Sequence, residues 1–194
     1  IVNNNLSISA PLVLDGKNLV LDLNGKTITA TKDLWNEEKK EFALISVKNN
    51  ATLTIIDTKG GGSIIARDND TYTFNVQGGA TLNIEAGTYV GNITAVQVDE
   101  GTANIKGGHY SLKQLAPEAY GGDARFTLNC VDENYKNGKA VIRVTGGSFV
   151  NFNPASNLAE GADTRFVPTE GYDVTSEGKT IITYTVVKTA TVTE

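Results

Sequence analysis

One short unit recurs along the chain, and a repeat decides an architecture before any single residue is read. Ala80-Thr81-Leu82-Asn83-Ile84-Glu85-Ala86-Gly87-Thr88-Tyr89 returns 21 positions later as Gly101-Thr102-Ala103-Asn104-Ile105-Lys106-Gly107-Gly108-His109-Tyr110. It returns 39 positions further on as Ala140-Val141-Ile142-Arg143-Val144-Thr145-Gly146-Gly147-Ser148-Phe149. Upstream, Val47 to Ile55 matches Val76 to Ile84 at a displacement of 29, and Gly62-Ser63-Ile64 then aligns with Gly87-Thr88-Tyr89. A first copy is Asn18 to Leu23 followed by Lys26-Thr27-Ile28, and a last one, Gly178 to Tyr184, lacks the Gly-Gly-aromatic ending. Six copies account for most of the sequence.

Each unit alternates apolar and polar residues, as at Leu82 and Ile84, which is the period of a half-buried strand. A Gly-rich corner and a second short strand follow. Helical spacing is weak: the best stretch, Lys32 to Phe42, is short and charged. A hairpin-built sandwich also contains short strands. Equivalent residues here, however, keep their type from unit to unit, as stacking at the ~4.8 Å strand spacing requires. One column is expected to hold Ile28, Ile64, Tyr89, Tyr110 and Phe149. A second holds Leu21, Leu53, Leu82, Ala103, Ile142 and Ile182, and a third Leu23, Ile55, Ile84, Ile105 and Val144. Asn83 is expected over Asn104 and Glu85 over Lys106. The implied architecture is an all-β, single-stranded parallel β-helix of about six rungs. It forms one domain over 1–194, with rungs over about 6–187 and a tail at 188–194.

Composition excludes several classes. Seventeen Lys and Arg against 22 Asp and Glu leave a net charge of −5, which repels a phosphate backbone and argues against nucleic acid. No apolar run reaches the roughly 18 to 20 residues of a membrane helix, so membrane insertion is not expected. With 20 Gly and 40% hydrophobic residues the chain is turn-rich and folded rather than disordered. The sequence opens at Ile1 and has no Met, so a leader or preceding domain is expected to be missing from it.

Leu19-Val20-Leu21-Asp22-Leu23-Asn24-Gly25-Lys26-Thr27-Ile28, Ile105-Lys106-Gly107-Gly108-His109-Tyr110 and the ending Phe166-Val167-Pro168-Thr169-Glu170-Gly171-Tyr172-Asp173-Val174 resemble the right-handed parallel β-helix proteins of the pectate-lyase-like superfamily. They are most similar to its short non-catalytic members, found in phage virions and on gut-bacterial surfaces. The resemblance covers about residues 6–187. It implies the right-handed coil and a place in a virion or, alternatively, an extracellular or cell-surface location.

Function is expected on the segments that interrupt the repeat. These are Ala30 to Glu41, Ala66 to Thr71, Lys113 to Arg125, Asp132 to Asn137 and Asn151 to Arg165. The residues proposed for a contact surface are Trp35, Pro117, Tyr120, Asp123, Tyr135 and Phe152. Trp35 either stacks on a sugar or anchors a partner, or it folds back with Leu34 and Phe42 over an open end of the coil.

A β-helix enzyme acting on polysaccharides needs paired carboxylates. Asp68 with Asp70, Asp99 with Glu100, and Asp132 with Glu133 are the available pairs. None is expected on adjacent rungs at equivalent positions, since Asp99 aligns with Gly78 and Glu100 with Gly79. His109 aligns with Thr88 and Ser148 and reads as an outward strand site, without the partners a zinc site needs. Cys130 reads as a buried thiol. The Gly-Gly doublets read as corners, with no Lys-Ser/Thr continuation to hold a phosphate.

Both ends of the coil are expected to need covering. The sequence therefore favours a non-enzymatic structural or adhesive module without a cofactor or metal, such as a phage fibre, spike or capsid decoration protein. Its expected partners are other virion or surface proteins, or further copies of itself as a homotrimer. The alternatives are a secreted or surface glycan-binding protein and, third, a polysaccharide lyase or hydrolase.

Overall fold

A computed structural model describes residues 1–67, 71–114 and 126–189. Its strands fall into three sheets that the chain visits in a fixed cyclic order. After β1 (Leu6–Ile8), the strands β2 (Leu12–Asp15), β3 (Asn18–Asp22) and β4 (Thr27–Ala30) make the first circuit. β5 (Ala43–Lys48), β6 (Thr52–Ile56) and β7 (Ser63–Ile65) make the second, and β8 (Tyr72–Val76), β9 (Ala80–Ile84) and β10 (Thr88–Gly91) the third. β11 (Val96–Val98), β12 (Gly101–Ile105) and β13 (His109–Leu112) form the fourth, and β14 (Leu128–Cys130), β15 (Ala140–Val144) and β16 (Ser148–Val150) the fifth. Within each sheet, consecutive circuits pair in parallel. The fold is thus all-β, built from stacked parallel sheets and β-helix-like.

The pairing register carries the repeat into the core. Ile28, Ile64, Tyr89, Tyr110 and Phe149 pair in one buried column, as the sequence predicts. Tyr89 and Tyr110 stack at a centroid distance of 5.2 Å, and Tyr110 and Phe149 at 4.8 Å with planes 9° apart. Burying two phenols demands partners for their hydroxyls. Tyr110 Oη donates to the Gly107 carbonyl at 2.8 Å and Tyr89 Oη to that of Ala86, so the Gly-rich corners supply the acceptors. Asn104 Nδ2 donates to Asn83 Oδ1 at 3.0 Å, and Lys106 pairs with Glu85 at 2.7 Å on the exposed side.

Two parts of the predicted alignment shift. Leu19 and Leu21, rather than Leu21 and Leu23, pair with Leu53 and Ile55. The corner after β3 is two residues longer than those after β9, β12 and β15, because Asn24 and Gly25 turn there with φ of 52° and 71°. Asp57 grips this turn through the backbone N–H of Gly25 and Gly62, both at 2.7 Å, and Leu23 remains buried within it. The last copy also departs from expectation. β17 (Tyr172–Gly178) and β18 (Ile182–Lys188) form a hairpin, and β18 joins β16 antiparallel, so Ile182 adds no sixth parallel rung.

The far end of the coil is closed by the segment 151–168, which includes the interruption Asn151 to Arg165 that the sequence offered as a contact surface. Phe166 accepts from Val144 N at the edge of β15, and Glu160 Oε1 accepts from Cys130 N at the edge of β14. Phe152 is buried between Phe149 and Phe166, at 6.4 and 6.5 Å. Its assignment as a contact residue is therefore corrected: an aromatic in line with the Phe149 column gains more by extending the stack than by facing water. The stretch 32–42, the best of the weak helical candidates, is an irregular loop, and the one helix among the described residues is α1 (Asp132–Lys136).

Close stacking leaves no room at the corners. A Cβ on Gly107 meets the Glu85 carbonyl oxygen at 2.1 Å, whereas one on Gly138 meets nothing within 4 Å and is opposed only by φ of +70°. Gly107→Ala is expected to cost more than about 2 kcal/mol and Gly138→Ala about 1 kcal/mol, read from urea unfolding midpoints. Tyr110→Ala, which opens the aromatic column, is expected to cost about 3 to 5 kcal/mol in the same measurement.

Candidate functional site

Three places concentrate groups able to do something: an amide array on one outer face, a buried acid at the closed end, and the open end of the coil. The array arises because the sheet β14-β11-β8-β5-β2 keeps one outward column polar. Val13, Ser46, Asn75, Gln97 and Asn129 lie side by side there, and Ser46, Asn75 and Gln97 are buried.

Asn129 Nδ2 donates to Gln97 Oε1 at 2.9 Å, and Gln97 Nε2 to Asp99 Oδ1 at 3.2 Å. Asp99 Oδ2 accepts from Asn75 at 3.3 Å and Gln77 at 3.1 Å. Asp99 stands level with Gln77, one residue from the predicted Gly78, because the corner following β11 is one residue shorter than that following β8. Ser46 Oγ, Thr73 Oγ1 and Asn75 Oδ1 are buried without a hydrogen-bond partner. Amide side chains do not ionise near neutral pH, so these groups serve the array as hydrogen-bond donors and acceptors.

Trp35 sits on the flank of the same sheet. Its ring lies 4.5 Å from Phe42, just before β5, and 5.7 Å from Tyr72, which opens β8. Nε1 donates to Glu37 Oε1 at 3.3 Å, and the side chain is half-buried. It therefore packs along the side of the coil and covers neither end. Tyr135, on α1, rests edge-on against Phe166 at 6.0 Å and is also half-buried. Trp35 and Tyr135 thus attach to different parts of the coil. Pro117, Tyr120 and Asp123 lie outside the described residues, as do Asp68 and Asp70. Asp132 and Glu133 are exposed in the first turn of α1. His109 Nδ1 is 2.8 Å from Ser148 Oγ on the outer face, in the predicted register.

At the closed end, burial pushes the Glu160 carboxyl above the ordinary glutamate range, even though it accepts from Cys130 N. Its second oxygen is buried and unpartnered. Burial, with Glu160 nearby, pushes the Cys130 thiol far up as well. A thiol this protonated is a poor nucleophile or metal ligand. Among the described residues, no three of His, Cys, Asp and Glu gather where they could hold a metal ion, and no helix is long and apolar enough to cross a membrane.

The opposite end is open. The inward apolar side chains of β2 and β3 have no strand above them, and Leu6 of β1, Leu12 and Leu19 are 42%, 39% and 47% exposed. Leu12, Leu14, Leu19 and Leu21 rim a cavity of about 260 Å³ floored by Ile45 and Leu53. The outer edges of β1, β2 and β3 carry no neighbouring strand. Comparison of the chain with protein families, with curated proteins and with solved structures gives no match.

Sequence reasoning named the column types but missed the amide array, because its strands repeat at uneven displacements outside the Gly-Gly unit. Reading Ser46, Asn75, Gln97 and Asn129 as the polar position of apolar-polar-apolar triplets was the available signal.

The two shifted acids act on stability with opposite signs. Asp22 is held below the usual carboxylate range, chiefly by the Thr58 N–H and then its hydroxyl, so its contribution is lost as pH falls through its folded pKa. Glu160 is raised, so the folded state binds its proton more tightly, and stability falls as pH rises from the ordinary glutamate range through the raised value. Glu160→Gln is expected to match the parent near pH 4 and to exceed it near pH 8 in urea midpoint. Cys130 is expected to resist thiol reagents in the native state and to label fully in denaturant.

Proposed function

We propose that the chain is a right-handed parallel β-helix of the pectate-lyase-like kind that works as a non-enzymatic structural or adhesive module, such as a phage fibre, spike or capsid decoration protein. The observation that carries this reading is the open apolar end. Eleven large apolar residues among the described ones are 37% to 80% exposed, and six of them, Ile1, Leu6, Leu12, Val13, Leu19 and Val20, belong to the first three strands or the residues before them. Contiguous apolar surface of this kind marks a place where another surface docks. Beside it lie the edges of β1, β2 and β3, and an edge strand is a place where a further strand can add.

The second reading, a glycan-binding module of a secreted or surface protein, is favoured by Trp35. Its half-exposed indole beside Phe42 and Tyr72, with Glu37 at hand, combines a stacking face with a hydrogen-bonding group. Lyase or hydrolase action is the third. Asp99, the carboxylate best placed on a sheet face, has its oxygens engaged by Asn75, Gln77 and Gln97.

The discriminating experiment exposes the protein to acidic and neutral polysaccharides and follows both binding and the release of new chain ends. The module is expected to release none. Release of unsaturated or reducing ends would overturn the structural reading. Binding without cleavage that disappears in Trp35→Ala would move the assignment to the glycan module.

A further inference from the structure

We propose that Asn137 is a site of spontaneous covalent modification, its side-chain amide closing onto the backbone nitrogen of Gly138 with loss of ammonia to leave aspartate and isoaspartate at that position. The fold selects this site, because the local sequence does not. Asn-Gly occurs twice in the chain, each time followed by lysine, as Asn24-Gly25-Lys26 and Asn137-Gly138-Lys139. Glycine eases ring closure at both, having no side chain to hinder approach to its nitrogen.

In the first step the Gly138 nitrogen attacks Asn137 Cγ, so an N–Cγ bond forms and the Cγ–Nδ2 bond breaks. Nδ2 leaves as ammonia with the proton that the Gly138 nitrogen gives up. Water then opens the succinimide ring. Attack at Cγ gives aspartate, and attack at the backbone carbonyl gives isoaspartate, whose main chain runs through Cγ.

The corner at Asn24 opposes every part of this. Its backbone N–H donates to Asp22 Oδ1 at 2.9 Å and its Nδ2 to the Val2 carbonyl at 3.0 Å. The Gly25 nitrogen, which would have to attack, donates to Asp57 Oδ1 at 2.7 Å. Closure must break these bonds inside a packed corner, where a Cβ on Gly25 meets the Gly60 carbonyl oxygen at 2.9 Å. The attack also places negative charge on the nitrogen, and the carboxylates of Asp22 and Asp57 disfavour it there.

Asn137 is free of these restraints. It is the residue after α1 and is exposed together with Gly138 and Lys139. Its side chain forms no hydrogen bond with a described residue. The Gly138 N–H is held by the Tyr135 carbonyl at 3.0 Å, in the last turn of a helix of 5 residues. A helix this short is marginal by itself, so the bond opens at little cost. Nothing lies within 4 Å of a Cβ placed on Gly138, which leaves the backbone room to rearrange. Lys136 and Lys139 stand on either side, with Glu133 one turn back. The product carboxylate then sits at the carbonyl end of α1, where negative charge is unfavourable. Because α1 carries Tyr135 onto Phe166 and Asn134 onto the Asp99 carbonyl, the modification acts on the corner that joins β14 to β15.

The full chain is incubated at mildly alkaline pH, digested with pepsin in acid to halt further conversion, and mapped by mass spectrometry. The peptide carrying Asn137 is expected to show the mass shift of amide to carboxyl and to separate into aspartate and isoaspartate forms, while the peptide carrying Asn24 stays unchanged. In denaturant both tripeptides are released and are expected to convert at similar rates. Asn137→Gln, whose longer side chain must close a larger ring, should abolish the native-state signal and leave the unfolding midpoint unchanged. Conversion at Asn24 as fast as at Asn137 in the native protein would overturn the proposal. So would an unreactive Asn137 in native protein under conditions that convert the denatured chain.

Discussion

Every circuit of this chain must lay its strands at hydrogen-bonding distance on the strands of the circuit before. That single requirement organises the rest of the molecule. Strand spacing of ~4.8 Å leaves each side chain resting on its equivalent, so each column must be filled by residues that stack on their own kind. The column from Ile28 through Ile64 to Tyr89, Tyr110 and Phe149 widens from aliphatic to aromatic as the rings find one another. Gly107 and Gly146 are small for the same reason: the backbone of the neighbouring circuit occupies the place of a side chain, with carbonyl oxygens 2.1 and 2.2 Å from a Cβ. The phenols then use those corner carbonyls as acceptors, so corner and column support each other.

Stacking solves the pairing problem for interior circuits and leaves it unsolved at the first and last. The two ends reach different answers. Near the C-terminal side the chain reverses, adds an antiparallel hairpin and folds 151–168 across the lumen, with Phe152 and Phe166 continuing the aromatic stack. At the other end Val2 and Asn5 secure only one corner, Val2 N donating to the Asp22 carbonyl and Asn5 Oδ1 accepting from Thr27 N. Leucines of three strands stay in view there. The far end is thus covered by the chain's own later residues, while β1, β2 and β3 remain edge strands of their sheets.

Much of this was legible in the residues. The alternation Leu82-Asn83-Ile84 against Ala103-Asn104-Ile105 and Ile142-Arg143-Val144 reports both strand and stacking, and the pairing follows it residue by residue. The first copy aligned two positions off, because Leu23 mimics the template while the Asn24-Gly25 turn lengthens the corner after it. Phe152 looked like an exposed loop aromatic, since nothing local tells a loop that it will fold over the end of a column laid down by strands before it. Asp99 looked like half of an acidic pair, and its three amide donors come from β8, the corner after β8 and the strand just before it, β11.

The sequence alone determined the repeat, the strands and the identity of the core columns, because those depend on near-neighbour alternation and on similarity between units, both local properties of the string. Tertiary structure alone decided how the coil ends. Which edges are closed, which leucines stay in water and which carboxyl is buried depend on where irregular segments land after the stack has formed. Those positions are set by long-range packing and desolvation, and no short pattern of residues encodes them.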